Sequence, residues 1–308
     1  FPTRRSSDLL GTLMVRELTE LQGEIGEVYA TESGEDTEVA SAIREQYYPR
    51  FLGDKLPSTN TGLLLSLADK LDTLVAAFSQ PDLRLPTGSK DPMGLRRLCF
   101  GILNIILQDA SCFNQFPLRK ALQLSTEGLG SLAKLPVEDV CEKVEQFILQ
   151  RYRGVLLEEG YRYDLIDAVF ECDAHPLENL STTTARLNAL KQLLAEPTKL
   201  KVFYEPGNRI HKILSKNYQP NTTLDTVSID KLENDAEKVL YDLAKTLPSL
   251  DIEAKLSLLA SWETPISTFF DKTLVNAEDE SIRANRYKLL SILNQQYQSL
   301  CNWTKLVC

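Results

Sequence analysis

The chain has 308 residues, 43% of them apolar and 25% charged, and its 34 Lys and Arg against 43 Asp and Glu give a net charge of −9. That is a globular composition with room for two domains, and it excludes a disordered, collagenous or fibrous chain. It also excludes a strongly basic nucleic-acid binder, leaving room only for a local basic face on an acidic body.

The first residues, Phe1-Pro2-Thr3-Arg4-Arg5-Ser6-Ser7-Asp8, lack an initiator Met. The short apolar stretch after them is broken by Gly11 and Thr12, with no small-residue cleavage site, so no secretory signal is read here. Residues 1–8 are expected to be a foreign or mis-called leader with no part in the fold. Leu64, Leu67, Ala68, Leu71, Val75 and Phe78 then recur at the spacing of one helix face. Asp91-Pro92 has the form of an N-cap followed by Pro at the first helical position. The stripe Leu95, Leu98, Cys99, Ile102, Leu103 and Ile106 follows it. Val137, Val140, Val144, Phe147, Ile148 and Val155 predict a long helix stopped at Gly160. Thr183, Leu187, Leu190 and Leu194 predict another.

Residues 194–208, with two Pro and one Gly, are expected to form an irregular join near the start of a second domain. A short basic helix over 208–216 should follow, with Ile210, Ile213 and Leu214 inward. Residues 217–230 read as a polar loop. Ala236, Val239, Leu240, Leu243, Ala244 and Leu247 make a stripe ended by Pro248. Thr264-Pro265 restarts a helix with Ile266, Phe269 and Phe270 inward. Ile282, Leu289, Leu290, Leu293, Tyr297 and Leu300 form the last helix. No stretch alternates apolar and polar residues for long enough to propose a sheet, and no apolar run approaches the about 18 residues of a membrane helix. The expected fold class is all-α.

Chemistry candidates are few. The two histidines are His175 and His211. Asp69 and Asp72, on the first strong helix, could be remnants of a phosphohydrolase metal site. That site needs a His and a His-Asp pair upstream, because imidazole and carboxylate must converge on the ion, and no His precedes residue 175. The plainer reading is a carboxylate on a helix flank. The cysteines are Cys99, Cys112, Cys141, Cys172, Cys301 and Cys308. None stand as C-x-x-C, so they supply no structural zinc site and read as reduced, buried thiols of a cytosolic protein. No metal site and no catalytic Ser-His-Asp or Cys-His arrangement is expected.

The run 85–92 suggests a phosphate loop but lacks G-x-x-x-x-G-K-[ST]. Pro86 and Gly88 turn the chain, and the helix N-terminus beyond, with Lys90, Arg96 and Arg97, could meet an RNA phosphate. Arg209, Lys212 and Lys216 form a positive strip that could track a phosphate backbone, or a solvated helix face. Arg283 and Arg286, three residues apart on the last helix, could touch RNA or pair with Glu278, Asp279 and Glu280.

Several runs together resemble one family. These are Glu20-Leu21-Gln22-Gly23-Glu24-Ile25-Gly26, Tyr48 to Pro57 (YPRFLGDKLP), Leu67 to Leu74 (LADKLDTL), Pro86 to Pro92 (PTGSKDP) with Leu95-Arg96-Arg97, Pro265-Ile266 with Phe269-Phe270-Asp271-Lys272, and Arg283-Ala284-Asn285-Arg286. The chain resembles the C-terminal half of bacterial glycyl-tRNA synthetase beta subunits over residues 9 to about 307. The resemblance implies a degenerate HD-like helical domain over 9–150, a connector over 151–186 and a helical-bundle anticodon-binding domain like that of arginyl-tRNA synthetases over 187–308. It implies a cytoplasmic ligase subunit that binds tRNA(Gly) and works with a separate alpha subunit. The alpha subunit binds glycine and ATP with Mg and performs adenylation, so this portion is expected to need no cofactor, to be non-catalytic by itself, and to bind neither DNA nor membrane. The alternatives are an HD-type metal-dependent phosphohydrolase and a structural scaffold for the alpha subunit. Ser267, at a usually acidic position, and Thr273-Leu274-Val275-Asn276 depart from the family pattern, at the bundle core or its edge.

Overall fold

The structure, a computed structural model, describes residues 15, 17–51, 53–82, 91, 93–108, 113, 116–172, 176–214, 222–245 and 251–307. Among these residues there are helices and no strand, as the all-α expectation requires. No helix among them is long and apolar enough to cross a membrane. The chain divides into two compact units, one of Phe1–Glu158 with Leu177–Ser181, the other of Glu159–Pro176 with Thr182–Cys308.

The first unit contains α1 (Glu24–Glu32), α2 (Thr37–Glu45), α3 (Asn60–Phe78), α4 (Leu95–Gln108), α5 (Leu118–Leu129) and α6 (Val137–Glu158). Helix α3 lies at its centre, against α2, α4, α5 and α6. Its buried positions are Leu63, Ser66, Leu67, Lys70, Leu71, Leu74, Val75, Ala77 and Phe78. Leu64 and Ala68, expected in the buried stripe, face solvent instead, and Leu64 is 59% exposed. The apolar pattern misplaces the face because part of the buried arc is polar. Lys70 Nζ donates to Ser66 Oγ at 2.7 Å and to the carbonyls of Tyr48 at 3.0 Å and Gln46 at 3.2 Å, so two polar side chains occupy interior positions that a hydrophobic count leaves out.

The start of α3 is fixed by two caps. Thr59 accepts from the Gly62 N–H at 3.0 Å. The buried Glu45 carboxylate, at the end of α2, accepts from the backbone and hydroxyl of Ser58 at 2.9 and 2.5 Å and from those of Thr59 at 3.2 and 2.6 Å. Burial pushes this carboxyl up, but the hydrogen bonds from Ser58 and Thr59 outweigh it and hold it below its ordinary value. A Cβ on Gly62 would lie 2.1 Å from Glu45 Oε2, so the cap requires glycine there.

The second unit holds α7 (Tyr163–Phe170), most of α8 (Leu180–Leu194), α9 (Pro197–Leu214), α10 (Asp235–Lys245), α11 (Ile252–Ser261), α12 (Glu263–Lys272) and α13 (Glu280–Gln298). Its core is an aromatic chain. Phe203 stacks on Trp303 at 6.1 Å between centroids, Trp303 meets Tyr297 edge-on at 6.2 Å, and Tyr297 meets Trp262 edge-on at 6.1 Å. Trp262, Tyr297 and Trp303 are fully buried.

The expected irregular join over 194–208 is overturned. Pro197–Leu214 is one continuous helix with Pro206 inside it. An interior proline forfeits a backbone hydrogen bond and costs about 3 kcal/mol, but here Pro206 and Gly207 are buried with Phe203 and Ile210 in the aromatic core, and that burial offsets the cost. The described part of the basic segment, residues 208–214, is therefore the C-terminal end of a long helix. On α10, Val239, expected in the stripe, is 46% exposed, whereas Glu237 is fully buried. Part of the 217–230 loop is wound into two single-turn 3-10 helices, Leu224–Thr226 and Ile229–Lys231. Cys99, Cys141 and Cys301 are free and buried, and Cys172 is half-buried with its Sγ 3.0 Å from the Val169 carbonyl. Cys112 and Cys308 lie outside the described residues.

Gly207 is a tight point of this core. An added Cβ would stand 2.9 Å from the Tyr297 ring, which is fully buried. Overpacking of this kind costs about 1–3 kcal/mol against the about 1 kcal/mol that alanine gains over glycine in a helix. Gly207→Ala should lower the midpoint of thermal unfolding, read by fluorescence of the two tryptophans; an unchanged or raised midpoint would show that the ring has room.

Candidate nucleic-acid interface

Helix α9 and helix α12 line an open groove of about 310 Å3. From α9 come Tyr204, Asn208, Arg209 and Lys212, and from α12 come Glu263, Ser267 and Phe270. The spacing 204, 208, 212 is one face of α9, and Trp262, buried between α11 and α12, fixes where α12 starts. Phe270, expected to face inward beside Phe269, is only half-buried because its ring turns toward the groove. The exposed Arg209 guanidinium lies over that ring, 4.4 Å from its centroid. Lys212 is exposed on the same wall. Arg209 and Lys212 are thus brought to one site, while Lys216 lies outside the described residues. His211, the next residue, is half-buried with Nδ1 3.4 Å from Gln298 Nε2. His175 lies outside the described residues.

Arg286 is not on this surface, nor on any other. The expectation that it faces RNA is corrected by its burial, with only 5% of its side chain exposed. Its Nε donates to Glu237, one terminal nitrogen reaches Glu233 at 2.6 Å and the other donates to the Leu274 carbonyl at 2.9 Å. The carboxylates come from α10 and the turn before it, not from Glu278, Asp279 or Glu280. Arg283 is partly exposed, donates to the Ala277 carbonyl at 3.0 Å and lies 3.8 Å from Glu280. Asn285 Oδ1 accepts from the Ser228 N–H at 2.8 Å and its Nδ2 donates to the Ser228 carbonyl at 2.9 Å. The Arg283-Ala284-Asn285-Arg286 run therefore ties two loops and α10 to the start of α13.

In the first unit, the helix bearing Arg96 and Arg97 starts at Leu95, three residues later than the Asp91-Pro92 pattern predicts. The Asp91 carboxylate caps it from outside, accepting from the Arg96 N–H at 3.2 Å and the Arg97 N–H at 3.4 Å, across a turn at Gly94 with φ +68°. A carboxylate thus already sits on two N–H groups where an RNA phosphate was expected. The Arg97 side chain is exposed and that of Arg96 half-buried, while Lys90 and Pro92 lie outside the described residues. Asp69 and Asp72 both face solvent, and Asp72 Oδ1 accepts from Ser125 Oγ of α5 at 3.2 Å. Among the described residues, no three of His, Cys, Asp and Glu converge to hold a metal ion.

Sequence reasoning missed Glu237, Glu233, Lys70 and the groove's Tyr204 and Glu263. Glu237 carried one weak signal, an acidic residue at an interior position of the strongest apolar stripe.

A family model described as glycyl-tRNA synthetase beta subunit matches residues 6–171. The chain is 38% identical to the glycine–tRNA ligase beta subunit of Shouchella clausii over 311 residues, covering 97% of this chain and 43% of the relative. It is 35% identical to the beta subunits of Syntrophomonas wolfei and Acinetobacter baylyi, over 98% and 92% of this chain and 43% and 40% of theirs. The chain spans less than half the length of these relatives.

Proposed function

Because this chain belongs to the glycyl-tRNA synthetase beta subunit family, we propose that it is the C-terminal, tRNA-binding part of a cytoplasmic beta subunit. It holds tRNA(Gly) while a separate alpha subunit, which brings glycine, ATP and Mg, activates the amino acid. No residue of this portion acts on the reacting atoms. The observation that carries the reading is the breadth of the match, at least 92% of this chain in each of three beta subunits. Arg209 and Lys212, exposed together on α9, support an RNA contact: they place a local positive edge on a chain of net charge −9, enough to position a phosphate backbone without reading its sequence.

A gel-shift titration against tRNA(Gly) and a non-cognate tRNA at two salt concentrations tests this. Preferential binding of tRNA(Gly) that weakens as salt rises is expected. Absence of binding to either RNA at low salt would overturn it. A second reading, a scaffold for the alpha subunit without RNA contact, is favoured by the consumption of Arg286 in internal ion pairs. Co-sedimentation with the alpha subunit, together with failure to bind tRNA, would select that reading.

A further inference from the structure

We infer that Cys172 and Cys301 form a peroxide-responsive thiol pair, in which Cys172 is oxidised first and Cys301 then closes a disulfide with it. This modification site lies in the second unit and does not rest on the tRNA-binding reading. Three observations converge. The first is placement. Cys172 follows the C-terminus of α7, and its Sγ lies 3.8 Å from the Leu300 carbonyl oxygen, in the peptide that carries Cys301. The Asn302 N–H donates to the Ala168 carbonyl at 2.7 Å, so residues 300–302 run beside the last turn of α7. Burial pushes the Cys301 thiol well above its ordinary value, Cys172 adds to this and Arg186 opposes it, which makes the three groups neighbours.

The second is access. Cys99, Cys141 and Cys301 are fully buried, whereas Cys172 is half-buried. Among the described cysteines it is therefore the one that an oxidant in water meets first. It stands in the turn outside α7, so its side chain can swing toward Cys301 without unwinding the helix.

The third is charge. Arg186 Nη1 donates to Cys172 Sγ at 3.6 Å. Lys255, whose Nζ donates to Ser299 Oγ at 3.0 Å, feels both groups: burial and then the Arg186 charge push its ammonium down, and Cys172 opposes them. Glu171, the residue before Cys172, pairs with Lys305 at 2.9 Å. Two cations beside one sulfur favour the thiolate, which is the reactive form. The Cys172 thiolate attacks one oxygen of hydrogen peroxide, the O–O bond breaks, hydroxide leaves and Cys172 becomes a sulfenic acid. The Cys301 sulfur then attacks the Cys172 sulfur. Its S–H proton leaves with the hydroxyl as water, and the S–S bond forms. With the proton that Cys172 gave up on ionising, two thiols and one peroxide yield one disulfide and two waters.

The test treats the whole folded chain with hydrogen peroxide, blocks the remaining thiols with iodoacetamide and maps the tryptic peptides by mass spectrometry. Peptide 163–186 carries Cys172 and peptide 289–305 carries Cys301. The two should appear joined, with the loss of two hydrogens, and should separate on reduction with dithiothreitol. Cys172 should react about ten-fold faster than Cys99 or Cys141. Arg186→Gln should slow it by about ten-fold, and Arg186→Lys, which keeps the charge, by much less. Cys301→Ser should halt the reaction at a sulfenic acid on Cys172 that dimedone traps. Tryptophan fluorescence shows whether each variant is folded, and the parent chain alone already decides the pairing. If its Cys172 reacts no faster than the buried cysteines, or joins a cysteine other than Cys301, the inference is overturned.

Discussion

Arg286→Ala should destabilise the second unit by about 3–5 kcal/mol, because it leaves the fully buried Glu237 carboxylate without its partner. In a unit of this size that lowers the unfolding midpoint by roughly 10 °C. The measurement is specific, since the chain's two tryptophans, Trp262 and Trp303, both lie in this unit's core, so their fluorescence reports it and not the first unit. Arg286→Lys should rescue little: an ammonium cannot reach Glu237, Glu233 and the Leu274 carbonyl together as the planar fork does. Pairing Arg286→Met with Glu237→Leu should recover much of the loss, since replacing both charges by apolar groups removes the stranded one. A single variant that keeps its midpoint but binds RNA less well would return Arg286 to the surface and sink the internal assignment.

Replacing Lys70 should change how the first unit responds to alkali. Burial pushes the Lys70 ammonium down to about 8 from its ordinary 10.5, with the neighbouring Asp69 charge opposing the shift. Between those values the unfolded chain holds the proton and the folded chain has released it, so stability rises with pH across this window. Over the whole interval the gain is about 3 kcal/mol. Tyr47 works against it above pH 10, because burial raises its phenol to about 12 and the folded state then resists ionisation. Burial likewise raises the first unit's Cys141 thiol, and that of Cys99 to about 12 from 9.0, so thiol ionisation in the unfolded chain opposes the rise above pH 9. The clean window is therefore pH 8 to 9. Urea unfolding followed by far-UV circular dichroism, with tryptophan fluorescence marking the second unit's share, should show a rising midpoint there in the parent chain. Lys70→Met should flatten that rise, whatever it does to stability at neutral pH, where losing three hydrogen bonds opposes the relief of a buried charge. An equal rise in both proteins would mean that Lys70 does not titrate in this range.

These two side chains also mark where sequence reading stopped. Hydrophobic period alone gave α3, α4, α6, α8, α10, α12 and α13 but passed over α1, α2, α5, α7 and α11; Val140, Val144, Phe147 and Ile148 on α6 or Leu289, Leu290 and Leu293 on α13 can be buried together only on one helical face. It gave the all-α class for the same reason, and the order of motifs gave the family. Along α9 it also gave the placing of Arg209 and Lys212 opposite Ile210 and Leu214, because that depends only on 100° per residue.

Contacts between distant segments decided the rest. The continuity of α9 through Pro206 was invisible because local propensity opposes it, and only burial against Tyr297 and Trp303 reverses the balance. Arg283 and Arg286 look alike in sequence, three residues apart at the start of one helix, yet one is partly exposed and the other sits between carboxylates about fifty residues upstream. A charge is surface or core according to what long-range packing brings to it, and one-dimensional spacing does not carry that information. The groove is of the same kind: Arg209 and Phe270 are far apart in the chain, and their stacking exists only because α9 and α12 fold side by side. By itself the sequence determined most of the longer helices, their faces in outline and the family; the tertiary structure decided which of the charges are drawn into internal pairs and which stay at the surface.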